Sequence, residues 1–187
     1  RVVEEIEHLV TKYGIKDIQI FDDTFSLIPS RVEKICKGII DKKLDVGWNC
    51  MTRVDKINPE LLALMKKAGC YEIGFGIESG SDRILQFIKK ATTTDLIRKG
   101  VRMTKDAGID VRGFFMIGFP TETKEEILQT IKFAKDLWAH ARLNSSLSGL
   151  ISKLLRSEIK RRPRGVGMDK DIGVEENHGN LWRRCSS

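Results

Sequence analysis

Histidine, tyrosine, proline and cysteine are all scarce in these 187 residues, numbering three, two, four and four. His8, His140 and His178 offer no nucleophile–base pairing, so triad-type catalysis is set aside. The cysteines (Cys36, Cys50, Cys70 and Cys185) show no C-x2-C spacing, which argues against a disulfide scaffold or a zinc ribbon. Cys36 falls in a predicted helix and Cys50 and Cys70 in predicted strands, so no metal site is expected from them. Scattered thiols of this kind suit a reducing cytoplasm, where a buried cysteine behaves as a small hydrophobe. No apolar run approaches the ~18–20 residues of a membrane span, and the opening RVVEEIEHLV is not a signal peptide. There is no phosphate-binding G-K-[ST], and no G-x-G-x-x-G follows a strand.

What is present is enough apolar residue, 41%, to bury the core of one domain. The net charge of +7 invites a nucleic-acid reading, but the charge is unevenly placed. Residues 139–187 carry ten Lys/Arg against five Asp/Glu, whereas residues 1–138 carry 23 against 21. The body is nearly neutral and the basicity belongs to the tail.

That body repeats one pattern: an amphipathic helix, a glycine, then a short apolar strand that ends in polar residues. A helix over Val2–Tyr13 stops at Gly14, and the strand IKDIQIF leads into Asp22-Asp23-Thr24-Phe25. Ser30 and Glu33 are spaced as a capping box for RVEKICKGIIDKK. A strand from Val46 to Thr52 ends at Arg53. Asn58 and Pro59 open the helix PELLALMKKA, and Gly69 closes it. CYEIGFGI ends in Glu78-Ser79-Gly80. Helical stretches follow at Asp82–Lys89 and Thr94–Ala107, with Gly108 as the stop. VRGFFMIGF then leads into Pro120-Thr121-Glu122-Thr123, where Thr123 and Glu126 form a second capping box before a helix to Trp138. Beyond Trp138 the period is lost. Leu147, Leu150, Ile151, Leu154 and Leu155 are spaced for a helix, and the rest of residues 139–187 reads as a basic tail, loop or disordered.

Strands alternating with helices require parallel pairing through right-handed crossovers. The fold class is therefore α/β, with about four parallel strands, either an open sheet or a partial TIM-like (β/α) barrel with helices outside. In both, strand C-termini build the active face, and every polar cluster here ends a strand. Asp22-Asp23 is suited to a hard cation or an ammonium group, or merely to an Asx turn. Gly74 and Gly76 interrupt a strand where something approaches closely, and Glu78 beyond them needs a partner or water. Gly118 would let a flat ring lie on open backbone. Glu122 is better read as favouring a helix N-terminus. Trp48, Phe75, Phe114 and Phe115 are expected in the core.

Taken in order, "IFDDTFS", "WNCMTRVDKINPELLALMKKAGCYEIGFGIESGSDRILQFIKKATT" and "AGIDVRGFFMIGFPTET" resemble radical S-adenosylmethionine (radical SAM) enzymes. The likeness is to the branch often fused to a cobalamin-binding domain, and it covers about three quarters of the chain. It implies a partial (β/α)6 barrel that holds a 4Fe–4S cluster on a C-x3-C-x2-C loop after its first strand. The cluster binds and cleaves S-adenosylmethionine, and the resulting 5′-deoxyadenosyl radical abstracts hydrogen or initiates methyl transfer or related chemistry. By position the resemblance assigns Asp22 and Asp23 to the methionine ammonium, Glu78 and Ser79 to ribose or methionine, and Lys90 to the methionine carboxylate. Gly118 falls where backbone meets adenine, and Arg53 lies at the strand end facing the same site. A small-molecule substrate and an electron donor such as flavodoxin or ferredoxin are implied for the parent protein.

No C-x3-C-x2-C occurs in these residues, so the resemblance carries an expectation of upstream truncation, with the first strand and cluster loop absent and this piece inactive alone. The tail is then expected to be a frame-shifted or foreign extension. Two rival readings stand beside it: a barrel enzyme with a divalent metal on Asp22 and Asp23, and a nucleic-acid-binding module using Lys153–Arg164. Scarce histidine and the Gly113–Thr123 motif argue against the first, and a charge map localised to Lys153–Arg164 would discriminate the second.

Overall fold

The computed structural model describes residues 1–141, and expectations for the rest of the tail lie outside the described residues. The chain opens with helix α1 (Val2–Tyr13), closed by Gly14 at φ 66°, a left-handed turn in which glycine has no Cβ to clash. Strand β1 (Asp17–Ile20) follows, then α2 (Pro29–Asp41), β2 (Gly47–Thr52) and α3 (Pro59–Lys67). After these come β3 (Cys70–Glu78), α4 (Asp82–Phe87), α5 (Thr94–Asp106), β4 (Asp110–Phe115) and α6 (Lys124–Ala141). Single 3₁₀ turns at Phe25–Leu27 and Val54–Lys56, not expected from the sequence, line two of the strand exits.

The four strands form one parallel sheet in the order β1-β2-β3-β4. Sequential order with right-handed crossovers places every connecting helix on the same face, which is the geometry of part of a (β/α) barrel. Side-chain alternation agrees. Trp48, Cys50, Ile73, Phe75, Ile77, Val111 and Phe115 are buried on the helix side, where they join Val32, Ile39, Leu62, Met65 and Ile97. The opposite, inner face carries Gln19, Met51, Arg53, Gly74, Gly76, Arg112 and Phe114. Phe114 is therefore only half-buried on the inner face, and not in the core as the sequence suggested.

Two caps form as the sequence reads. Asn58 Oδ1 accepts from Leu61 N at 2.8 Å. Thr123 Oγ1 accepts from Glu126 N while Glu126 Oε2 accepts from Thr123 N, a reciprocal capping box. The Ser30/Glu33 box does not form: α2 starts earlier, with Pro29 in its first turn and Ile28 as an uncapped N-cap. Proline's fixed φ favours the first helical position, so the helix begins ahead of Ser30.

Candidate functional site

Parallel pairing brings all four strand exits to one rim, so Asp22, Asp23, Arg53, Glu78 and Gly118 share one end of the sheet. The details differ at each exit. After β1, Asp22 is half-buried; its Oδ1 accepts from Thr24 N at 3.0 Å and its Oδ2 from Arg31 Nη2 at 2.7 Å. Asp22 thus closes an Asx turn, and Asp23 stands exposed beside it. The turn is anchored below by a buried hydroxyl pair, Ser26 with Thr52 at the end of β2. Arg53 turns onto its own loop, donating from Nε and Nη2 to the two carboxylate oxygens of Asp55 at 2.8 and 3.1 Å. That hydrogen bond, foremost, raises the Arg53 pKa and lowers that of Asp55.

Glu78 ends β3 in a strained conformation, with φ at 68°. A non-glycine residue there costs ~1–3 kcal/mol and persists where the surroundings over-determine it. They do so here. The β3–β4 register shifts between Gly76 and Glu78, a bulge that re-aims the last side chain. Met116 N donates to Glu78 O at 2.8 Å, fixing its backbone. The carboxylate then accepts from Lys90 Nζ at 2.9 Å, both side chains about one fifth exposed. Lys90 arrives from the α4–α5 connection, so the partner Glu78 needs is twelve residues away.

Gly74 and Gly76 admit side chains of this same chain. A Cβ on Gly74 would meet the Phe114 ring at 3.0 Å and Met51 at 3.3 Å, and one on Gly76 would meet Glu78 Oε1 at 2.8 Å and Lys90 Nζ at 3.0 Å. Ser79 points away from the inner face: it is fully buried, and its hydroxyl meets Thr130 Oγ1 of α6 and accepts from Ser81 N. At the fourth exit Gly118 has φ 91° with nothing near the position of a Cβ, so its backbone is open. Glu122 Oε2 accepts from Gly118 N and from Phe119 N. The sequence reading missed this loop-shaping role, whose only signal was a carboxylate four residues past a glycine.

The cysteines are brought together more than their separate elements suggested. Cys36, Cys50 and Cys70 are all buried on the helix side of the sheet, and the Cys70 thiol donates to Glu72 O at 3.7 Å. Desolvation, with a smaller contribution from Cys50, pushes the Cys36 thiol up to about 12 and raises Cys70 as well. Dry, protonated thiols are poor metal ligands. Among the described residues no group of three or more His, Cys, Asp or Glu is arranged to hold a metal ion. The divalent-metal reading of Asp22 and Asp23 gains no support from this geometry.

A parallel four-stranded sheet with its polar clusters on the C-terminal rim has the geometry of part of a (β/α) barrel. The radical SAM superfamily model matches residues 1–134. An uncharacterized methyltransferase of Pyrococcus horikoshii, PH0819, is 44% identical over 137 residues, covering 73% of this chain and 30% of the relative. The anaerobic magnesium-protoporphyrin IX monomethyl ester cyclase of Rubrivivax gelatinosus is 30% identical over 138 residues, covering 73% of this chain and 25% of its own length. In fold the chain is similar to the radical S-adenosylmethionine methyltransferase TsrM of Kitasatospora setae, solved with cobalamin and a [4Fe-4S] cluster bound. That likeness has a TM-score of 0.68 and 20% identity, covering 78% of this chain and 30% of TsrM. This chain belongs to the radical SAM superfamily. It spans less than a third of the length of the curated relatives it matches.

The family's cofactors are S-adenosylmethionine and a 4Fe–4S cluster. The cluster does not fit the residues described here, whose thiols are buried on the helix side of the sheet. At the rim the Glu78 carboxylate, paired with the Lys90 ammonium, and the Gly118 backbone stand at neighbouring strand exits. No helix among the described residues is long and apolar enough to cross a membrane.

Proposed function

We propose that this chain supplies the S-adenosylmethionine-facing rim of a radical SAM enzyme acting on a small-molecule substrate. The observation that carries the reading is the Glu78–Lys90 pair seated over Gly76, with Glu78 held in a left-handed conformation beside the open Gly118 loop. Glu78 takes hydroxyl or ammonium donors of the ligand, Lys90 its carboxylate, Asp23 its ammonium, and the Gly118 backbone its adenine. Asp22 keeps the first turn in shape, and Arg53 borders the site. Ser79 fastens the strand exit to α6 and does not touch the ligand. The residues described here supply no thiolates for the cluster.

Names of the relatives favour methyl transfer or ring-forming chemistry on an organic substrate, with cobalamin as a further cofactor. A cytoplasmic setting and a small electron-donor protein of the flavodoxin or ferredoxin type complete the proposal. The test is calorimetric titration of S-adenosylhomocysteine into the 187-residue chain, with Glu78→Ala and Lys90→Met beside it. Weak binding that both substitutions abolish is expected; equal affinity in all three proteins would overturn the site. Losing one charge-assisted hydrogen bond costs about 1.5–3 kcal/mol, enough to remove a weak complex.

A further inference from the structure

We infer that Arg83 is a positioning residue that locks the Gly118 loop against the Glu78 strand exit, and so sets the shape of the ligand rim. The inference rests on the functional reading above but concerns a residue with no place in it. Arg83 lies in the first turn of α4, two residues after the N-cap Ser81. Its side chain is half exposed, a setting in which an isolated ion pair contributes little. Here it is not isolated. Nε donates to Glu126 Oε1 at 2.7 Å and Nη2 to Glu126 Oε2, a two-pronged pairing at the start of α6. Nη2 also donates to Thr121 O at 2.7 Å, and Nη1 to Thr121 Oγ1 at 3.3 Å.

The targets make the point. Thr121 is in a left-handed conformation at φ 68°, the sharp reversal of the β4–α6 loop, and its carbonyl is fixed by Arg83. One residue later Glu122 reaches back to the N–H groups of Gly118 and Phe119. Glu126 also accepts from Ser81 Oγ and from Thr123 N, so one carboxylate joins the β3 exit, α4 and the α6 N-terminus. A planar guanidinium can hold a carboxylate and a carbonyl together in fixed directions, which an ammonium cannot. Nothing lies within 4 Å of where a Gly118 Cβ would stand, and its N–H is held by Glu122. Its position relative to Glu78 is set on one side by the hydrogen bond from Met116 N to Glu78 O, and on the other through Glu122, Thr121 and Arg83.

The experiment uses the whole 187-residue chain as Arg83→Met and Arg83→Lys, read by amide hydrogen exchange and by S-adenosylhomocysteine titration. In Arg83→Met, exchange in residues 116–123 should rise by about tenfold while the β3 and β4 strand amides keep their protection. Affinity should fall by about three- to tenfold, with a loss of melting temperature no greater than that of Glu126→Gln, and Arg83→Lys should recover only part of the affinity. Unchanged exchange in residues 116–123 would overturn the inference, as would an equal loss of protection across the sheet. Should the unsubstituted chain bind no S-adenosylhomocysteine, the ligand reading fails by itself, and the exchange measurement still decides the role of Arg83.

Discussion

Lys90 Nζ lies 2.9 Å from Glu78 Oε1, and the pair closes over the bare α-carbon of Gly76. One residue without a side chain therefore makes room for two that carry charge. A methyl group at position 76 would sit 2.8 Å from the carboxylate and 3.0 Å from the ammonium, so the pair would have to swing away from the strand. Both contacts are ends of flexible side chains, so the fold should survive. Gly76→Ala is expected to melt within a few degrees of the parent yet bind S-adenosylhomocysteine about tenfold more weakly, or about 1.4 kcal/mol. Retained affinity would mean that the seat does not matter to the site.

Gly80 meets a harder limit. A Cβ there would come within 2.6 Å of Phe133 Cβ and 2.8 Å of Thr130 Cα, which are parts of α6 that cannot rotate away. Gly80→Ala should force α6 off the sheet and cost about 1–3 kcal/mol or more, as overpacking does. Thr130→Val keeps the volume but strips the acceptor from Gly80 N and the partner from Ser79 Oγ. Leaving buried polar groups unmatched costs about 1–3 kcal/mol. Urea denaturation of both variants, read as midpoint with unchanged slope, checks the two values.

The helices and strands were legible because their ends carry local signals, such as Asn58-Pro59, Thr123 with Glu126, and the glycines at 14, 69 and 108. The rim was legible because a strand exit is polar wherever it faces a ligand or solvent. What escaped was set by tertiary register. Nothing local in Glu78 announces a lysine twelve residues on, or the bulge that turns it. Gly74 and Gly76 leave one face of the sheet to Phe114, Met51 and the ion pair, which no local pattern announces. Nothing local singles out Arg83, and only the Thr121 reversal gives it a task.

Glu126 makes the rim sensitive to acid. Its hydrogen bond from Arg83, then that from Thr123 N, lowers its pKa from 4.5 to about 2. A carboxyl depressed in the folded state stabilises that state fully above its ordinary pKa and ceases to do so as pH falls through its folded value. The parent chain should therefore lose stability as pH drops from about 4.5 to about 2, whereas Glu126→Gln should be weaker at neutral pH and flatter across that window. Identical acid profiles in the two proteins would remove the network from the account.

The cysteines give the last test. Cys36, Cys50 and Cys70 are 0 to 2% exposed, and burial raises Cys36 to about 12. A thiol raised in the folded state keeps its full contribution below its unfolded pKa of ~8.5 and loses it as pH climbs toward the folded value. Stability should accordingly decline in alkali, and Cys36→Ser, which removes the titrating thiol, should make that decline shallower. At mildly alkaline pH the native chain should leave these three thiols unalkylated by iodoacetamide, and urea should expose all of them together. The same burial governs iron. A 4Fe–4S cluster needs deprotonated, convergent cysteines, and these thiols are protonated and sealed beneath α2. Iron and sulfide added under reducing, anaerobic conditions should therefore yield no stable absorption near ~400 nm with the ~4 irons per chain of a cubane cluster. A cluster that formed and disappeared with Cys50→Ala would show that α2 opens to admit it, and would turn the core thiols from packing into ligands.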